Sequence, residues 1–174
     1  MKSAKKRIAL IGFMGTGKTT VGKALSDATG RDFIDTDSLI EKRAGKSIPR
    51  IFSEDGEKSF RELESKVVRE VCGLESVIIS FGGGVLLDPS NASEIAENTT
   101  VVLLRSSVDT VISRTSSHNT RPLLDATTQP LEERVKALLV DREMLYTDAM
   151  DLAVDTDSMS VGEVVAEIIR RLNL

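Results

Sequence analysis

One octapeptide limits what this chain can become: Gly12-Phe13-Met14-Gly15-Thr16-Gly17-Lys18-Thr19. It follows the apolar run Ile8-Ala9-Leu10-Ile11, which reads as a strand buried on both faces. After it come Thr20, Val21 and Leu25, the last two four apart on one helical face. A G-x-x-x-x-G-K-[ST] segment between a strand and a helix is the setting in which a phosphate loop works. Glycines let the backbone N–H groups turn toward an anion, and the helix N-terminus adds partial positive charge there. Lys18 can then reach the β- and γ-phosphates, and the Thr19 hydroxyl can ligate Mg²⁺. A glycine-rich turn without a ligand is the competing reading. With every fixed position filled, the segment reads as a nucleoside-triphosphate site.

The rest of the chain must build a sheet around that loop, and 174 residues suit one domain, residues 1–174, that buries roughly 70% of its unfolded surface. A net charge of −4 argues against a nucleic-acid partner. The single cysteine, Cys72, cannot form an internal disulfide and reads as a small buried hydrophobe in a reducing compartment. Lys2, Lys5, Lys6 and Arg7 precede an apolar run too short for a signal sequence or a membrane span, so a cytoplasmic protein is expected.

Strands alternate with helical stretches, the pattern of a parallel sheet covered on both faces. Asp32-Phe33-Ile34-Asp35 reads as the second strand, ended by Asp35-Thr36-Asp37 and followed by a helix over 38–44 that stops at Gly45. Ser47 can cap a short helix with Pro49 near its start and Gly56 after its end. Phe60, Leu63, Val67 and Val71 mark a longer helix stopped by Gly73. Val77-Ile78-Ile79-Ser80 is a third strand that runs into Phe81-Gly82-Gly83-Gly84. A helix over 91–98, a strand over 100–104 and a short helix over 107–114 follow. Residues 115–130 have no apolar period; a loop of that length in a compact domain suggests a mobile lid over a site. A helix over 131–150, a strand over 152–155 and a last helix opened by the capping box Ser160/Glu163 complete the chain. Val161, Val164, Val165, Ile168 and Leu172 form the apolar face of that helix.

Ligands of open α/β sheets bind beyond the carboxyl ends of the strands, where three chemically useful segments fall: the loop, Asp35-Thr36-Asp37 and the glycine triplet. Asp37 can accept the proton of an attacking hydroxyl, or cap the following helix, or do both. The triplet either lets a ligand approach the backbone or makes a strained turn. Arg142 falls on an apolar face with Leu138, Leu145 and Tyr146, so its charge must be paired, point into a cavity or snorkel to water. Arg61 stands between Glu57 and Glu64 at helical spacing, an ordinary ion pair that can also fix the guanidinium's direction. Arg114 and Arg121 put positive charge beside or in the presumed lid, Arg121 suited to a phosphate on closure; His118 reads as solvated. A hydroxyl-accepting carboxylate with two anion-binding arginines describes a small polyol acid as phosphoryl acceptor.

With these pieces in order the sequence resembles the shikimate kinase family. The likeness runs from Ile8 to the last helix. It is carried by residues 12–20, Asp35-Thr36-Asp37, Phe60-Arg61-Glu62-Leu63-Glu64, Gly82-Gly83-Gly84, Arg121-Pro122-Leu123-Leu124 and Arg142-Glu143-Met144-Leu145-Tyr146. The resemblance implies a P-loop kinase fold, a five-stranded parallel sheet of order 2-3-1-4-5 with helices on both faces and a mobile lid. It implies ATP plus shikimate going to ADP plus shikimate 3-phosphate, with Mg²⁺, in the route to aromatic amino acids, by a monomer. It assigns catalysis to Lys18, Asp37 and Arg121, and ATP to Gly15, Thr16, Gly17, Lys18, Thr19, Thr20, Arg114 and Arg121, with Arg114 against the adenine. It assigns shikimate to Asp37, Arg61, Gly82, Gly83, Gly84 and Arg142, and the metal to Thr19 with Asp35 behind a water. Met144 and Val161 depart from the family's usual prolines without removing a polar group. A gluconate-type kinase is not expected to combine Asp35-Thr36-Asp37, Arg61 and Arg121-Pro122-Leu123. A catalytically silent regulatory relative is expected to lack Lys18, Asp37 or a binding arginine, and this chain has them all.

Overall fold

The computed structural model describes residues 6–115 and 130–174. Five strands form one sheet: β1 Ile8–Ile11, β2 Asp32–Asp35, β3 Val77–Ser80, β4 Thr100–Arg105 and β5 Leu152–Asp155. Their order is β2-β3-β1-β4-β5 and every pairing is parallel, with Ile8 opposite Ile78 on one side and Thr100 on the other. This is the order the resemblance implied. The presumed lid, with His118 and Arg121, lies outside the described residues apart from its two ends.

β1 sits at the centre because every one of its residues is apolar and buried. Side chains alternate across a strand, so Ile8 and Leu10 face one core while Ala9 and Ile11 face the other. The first core is closed by Val21 and Leu25 of α1 (Lys18–Thr29) and by Val164 and Ile168 of α8 (Val161–Leu172). The second packs Ile40 of α2 (Thr36–Ala44), Ile51 of α3 (Ile48–Glu54) and Phe60, Val67 and Val71 of α4 (Gly56–Cys72) against the sheet. It also takes Ile95 of α5 (Pro89–Asn98) and Tyr146 of α7 (Leu131–Ala149). Burying each of these side chains is worth about 1.5–3 kcal/mol, so the two layers fix the sheet's position between them. A third, smaller cluster joins Phe13 to Val111 of α6 (Val108–Thr115) and Val135 of α7. Cys72 is free and buried, and burial pushes its thiol up to about 12.

Helix starts depart from the sequence reading, and caps are the reason. Asp35, not Asp37, caps α2: its Oδ1 accepts from the Ser38 N–H at 3.1 Å, so the helix begins two residues early and Asp37 lies in its first turn. Ser47 makes no side-chain cap on α3; Glu41 Oε1 takes the Ile48 N–H at 2.8 Å instead. Gly56 does not lie free after α3 but opens α4 at φ 84°, and Phe52 and Phe60 meet across that corner at 4.8 Å. After the glycine triplet a 3-10 turn, Val85–Leu87, leads to α5, which Asp88 caps through the Ser90 N–H at 2.8 Å. The capping box of α8 forms as read, although Val161 stays 39% exposed. Among the described residues no helix is long and apolar enough to cross a membrane.

Candidate active site

The carboxyl ends of β1, β2 and β3 open into one cleft of about 810 Å³. The loop after β1 forms one wall. Gly17 ends it in the left-handed region, at φ 92°. Gly12, at φ 141°, also has no room for a side chain, since a Cβ there would lie 2.4 Å from the Leu104 carbonyl oxygen. Gly17 is also the cap of α1, which has no side-chain cap bond and no acid in its first turn. The orphan N–H groups and the dipole of this helix end therefore face the cleft. Lys18 curls over the loop, its Nζ donating to the carbonyls of Gly12 at 2.8 Å and Phe13 at 2.9 Å. Thr19 donates to Asp35 Oδ2 at 2.7 Å, which brings two hard oxygen groups together at the start of α1. Gly15, Thr20 and Arg114 line the same cleft. Thr16, buried, instead bonds the Phe13 carbonyl at 2.8 Å and borders a side pocket of about 230 Å³ with Val21, Arg114, Met159 and Val161.

The opposite wall is built by α2, α4, α7 and the glycine triplet. None of the three glycines has a positive φ, which sets aside the strained-turn reading; each instead leaves space for one side chain. A Cβ at Gly82 would lie 2.6 Å from Asp37 Oδ1, one at Gly83 3.5 Å from Arg142 Nη1, and one at Gly84 3.0 Å from both terminal nitrogens of Arg61. Arg61 Nη1 holds Glu64 at 2.7 Å and its Nη2 holds Glu57 at 3.2 Å, above the Phe60 ring. Burial opposes charge on Arg61, yet the two glutamates outweigh it and hold the guanidinium above its ordinary value. Burial also pushes the Glu64 carboxyl up; Arg61 pulls against that, while Asp37 and Asp88 push with it. Arg142, 4% exposed, does not snorkel to water: Nη1 donates to the Gly83 carbonyl at 3.1 Å and the guanidinium lies 5.5 Å above the Phe13 ring.

Three hydroxyls that the sequence reading did not assign hold the pieces of each wall together. Thr36 donates to the Ser80 carbonyl at 3.2 Å and accepts from the Gly82 N–H at 3.3 Å, which joins the Asp35-Thr36-Asp37 corner to the triplet. Tyr146 donates to the Gly83 carbonyl at 2.6 Å. Thr156, buried after β5, meets Ser106 Oγ at 2.7 Å and accepts from Arg114 Nη1 at 3.3 Å, while Arg114 also donates to the Gly15 carbonyl at 3.2 Å. A threonine between two aspartates, on a strand end that must meet the next loop, was the one available signal, for Thr36. Asp157 anchors the same corner. Burial works against its charge, but the Ser107 amide and hydroxyl outweigh it and hold the carboxyl low.

A parallel sheet of this order, a phosphate loop at its central strand and a second binding wall across the cleft define a P-loop kinase. The profile of the family described as "Shikimate kinase" matches residues 14–173. A shikimate kinase of Pelotomaculum thermopropionicum is 44% identical over 96% of this chain and 95% of its own length. One from Caldanaerobacter subterraneus subsp. tengcongensis is 42% identical over 95% of both. Among solved structures, "Shikimate kinase from Acinetobacter baumannii in complex with shikimate" superposes with a TM-score of 0.92 at 31% identity, covering 99% of this chain and 94% of that one. The chain belongs to the shikimate kinase family. A gluconokinase from Sinorhizobium meliloti, 17% identical with a TM-score of 0.58 over 98% of this chain and 92% of its own, shares the fold alone.

Proposed function

We propose that this chain, acting as one kinase domain, transfers the γ-phosphoryl group of ATP to the 3-hydroxyl of shikimate, giving shikimate 3-phosphate and ADP. The observation that carries the reading is the facing pair of walls. Loop amides and Lys18 stand on one side, and Asp37, Arg61 and Arg142 on the other, each beside its own glycine. The α1 N-terminus and the Gly15–Thr20 amides would cradle the triphosphate, and Lys18 would trade its loop carbonyls for the β- and γ-oxygens. Arg114, steadied by Thr156 and Gly15, would lie against the base in the side pocket. The acceptor's carboxylate suits Arg142 and Arg61, whose planar forks match it, while the triplet backbone lets the ring come close. Asp37 would then orient the attacking hydroxyl and take its proton. Phosphoryl transfer needs positioning and charge stabilisation more than covalent help, which is what two fixed walls supply.

Thr19 and Asp35 form an oxygen pair suited to Mg²⁺, Thr19 directly and Asp35 through a water. The ion would supply charge neutralisation between the β- and γ-phosphates. Arg121 is assigned to the phosphates on the matching family motif alone. The single, buried, free cysteine suits a reducing cytoplasm, and the chain is taken to work as a monomer. ADP release in a coupled assay with shikimate, quinate, gluconate and no acceptor tests the reading. Shikimate-dependent turnover is expected. Turnover with gluconate in preference, or none with any acceptor, would overturn it in favour of a sugar-acid kinase or a silent relative.

A further inference from the structure

The Gly83 carbonyl accepts two hydrogen bonds from α7, from the Tyr146 phenol at 2.6 Å and from Arg142 Nη1 at 3.1 Å. The donors sit one helical turn apart and both are almost fully buried, at 5% and 4% exposure. A carbonyl has two lone pairs, so these donors fill it and leave its peptide little freedom to rotate. The peptide is trans, so turning its C=O toward α7 turns the Gly84 N–H the other way. The phenol bond is the shorter, and burial holds Tyr146 above its ordinary value against the opposing pull of the Arg142 guanidinium beside it, so it stays a donor throughout the working pH range. For Arg142, then, Gly83 is an acceptor already fixed in place by a neighbour. With Nη1 committed there and the Phe13 ring beneath the plane, the guanidinium has one orientation.

We infer that Tyr146 is a positioning residue for acceptor recognition: its phenol holds the Gly83 peptide and thereby sets the angle at which Arg142 meets the carboxylate of the acceptor. The inference rests on the proposal that Arg142 reads that carboxylate. Tyr146 itself touches neither substrate in this scheme. Its hydroxyl is the one atom that matters, because the ring also fills the second core and would go on doing so in phenylalanine.

The test is Tyr146→Phe, Arg142→Ala and the double variant, each measured for KM of shikimate, KM of ATP, kcat and thermal midpoint. Losing one neutral hydrogen bond should raise the KM for shikimate by roughly 3- to 10-fold. The KM for ATP and kcat should stay within about twofold, since the fold and the phosphate loop are untouched. In the Arg142→Ala background the same change should add almost nothing, because the tyrosine acts through the arginine. A carboxamide analogue of shikimate, titrated calorimetrically, should lose little affinity in Tyr146→Phe. If Tyr146→Phe lowers the midpoint and shifts both KM values together, its role is packing and the inference fails. An equal effect with and without Arg142 also overturns it. If Arg142→Ala leaves the KM for shikimate unchanged, the underlying assignment of the carboxylate falls and the inference with it; if only Tyr146→Phe is silent, the inference alone falls.

Discussion

Alanine placed singly at Gly82, Gly83 and Gly84 separates space from backbone freedom as the reason the triplet exists. No member has the positive φ that would penalise a side chain outright, so each substitution is decided by what the new methyl meets. At Gly82 it would stand 2.6 Å from Asp37 Oδ1, whereas ordinary contact begins at 3.4 Å, so the carboxylate must retreat by about 0.8 Å. A displacement near ~1 Å at a reacting group can cost on the order of 10²-fold in rate. At Gly84 the clash is milder, 3.0 Å from both guanidinium nitrogens of Arg61, and the flexible side chain can give by a few tenths of an ångström. At Gly83 the methyl would sit 3.5 Å from Arg142, already ordinary contact. Gly→Ala on a compatible backbone stabilises by about 0.4–1 kcal/mol, so none of the three should melt earlier through the unfolded state. The predicted order of kcat/KM loss for shikimate is therefore Gly82→Ala, then Gly84→Ala, then Gly83→Ala, where any loss comes from the methyl meeting the acceptor and not Arg142. Gly162→Ala, which meets nothing within 4 Å, is the control. A coupled ADP-release assay beside thermal melts reads the series. Equal losses at all three positions, or a Gly82→Ala enzyme at parental rate, would refute the steric argument.

Lys18→Met should lower kcat by at least ~10²-fold with an unchanged melting temperature, because the ammonium counts most where charge develops on the transferred group; retained turnover in a folded variant would sink the assignment. Asp37→Asn should suppress kcat strongly. Asp35 holds the cap, so stability should fall by no more than the ~0.3–1 kcal/mol a first-turn acid contributes, as urea unfolding can check. Ser160→Ala should cost about 1 kcal/mol of unfolding free energy. The Ser160 hydroxyl and amide hold the Glu163 carboxyl below its ordinary 4.5, so that half of the box acts fully above this pH and fades as pH falls through the depressed value. The gap between parent and Ser160→Ala should accordingly narrow in acid, and a gap independent of pH would contradict the reciprocal box.

The positions of β1, β3 and β4 were legible because each carries a short apolar run closed by a residue that interrupts it, as Gly12 closes β1 and Gly82 follows β3. Burial on both faces makes those runs continuous, which is what a central parallel strand requires. Helix starts were less legible. Asp35 and Asp37 are equally good caps on paper, and the choice falls to Asp35, where β2 ends and whose carboxylate also reaches Thr19. The residues proposed for the site were found where charge broke an apolar pattern, as at Arg142, or where three glycines in a row followed the end of a strand. Lone hydroxyls carry no such signal. Tyr146 looks like any core aromatic until its oxygen is seen on a carbonyl 63 positions away, and Thr36 meets Gly82 across 46.

Asp35 also solves a problem of potential. Its two oxygens are divided between Thr19, in the first turn of α1, and the Ser38 amide, in the first turn of α2, so two positive helix ends converge on one negative charge. Without it, Asp37 in the first turn of α2 would be left to offset both dipoles, and the cleft would attract small anions less selectively. A single carboxylate placed between them trims the field at the cleft floor. A neutral residue there should turn this cleft into a better trap for inorganic phosphate and for spent nucleotide, and thus into a slower machine for letting either go.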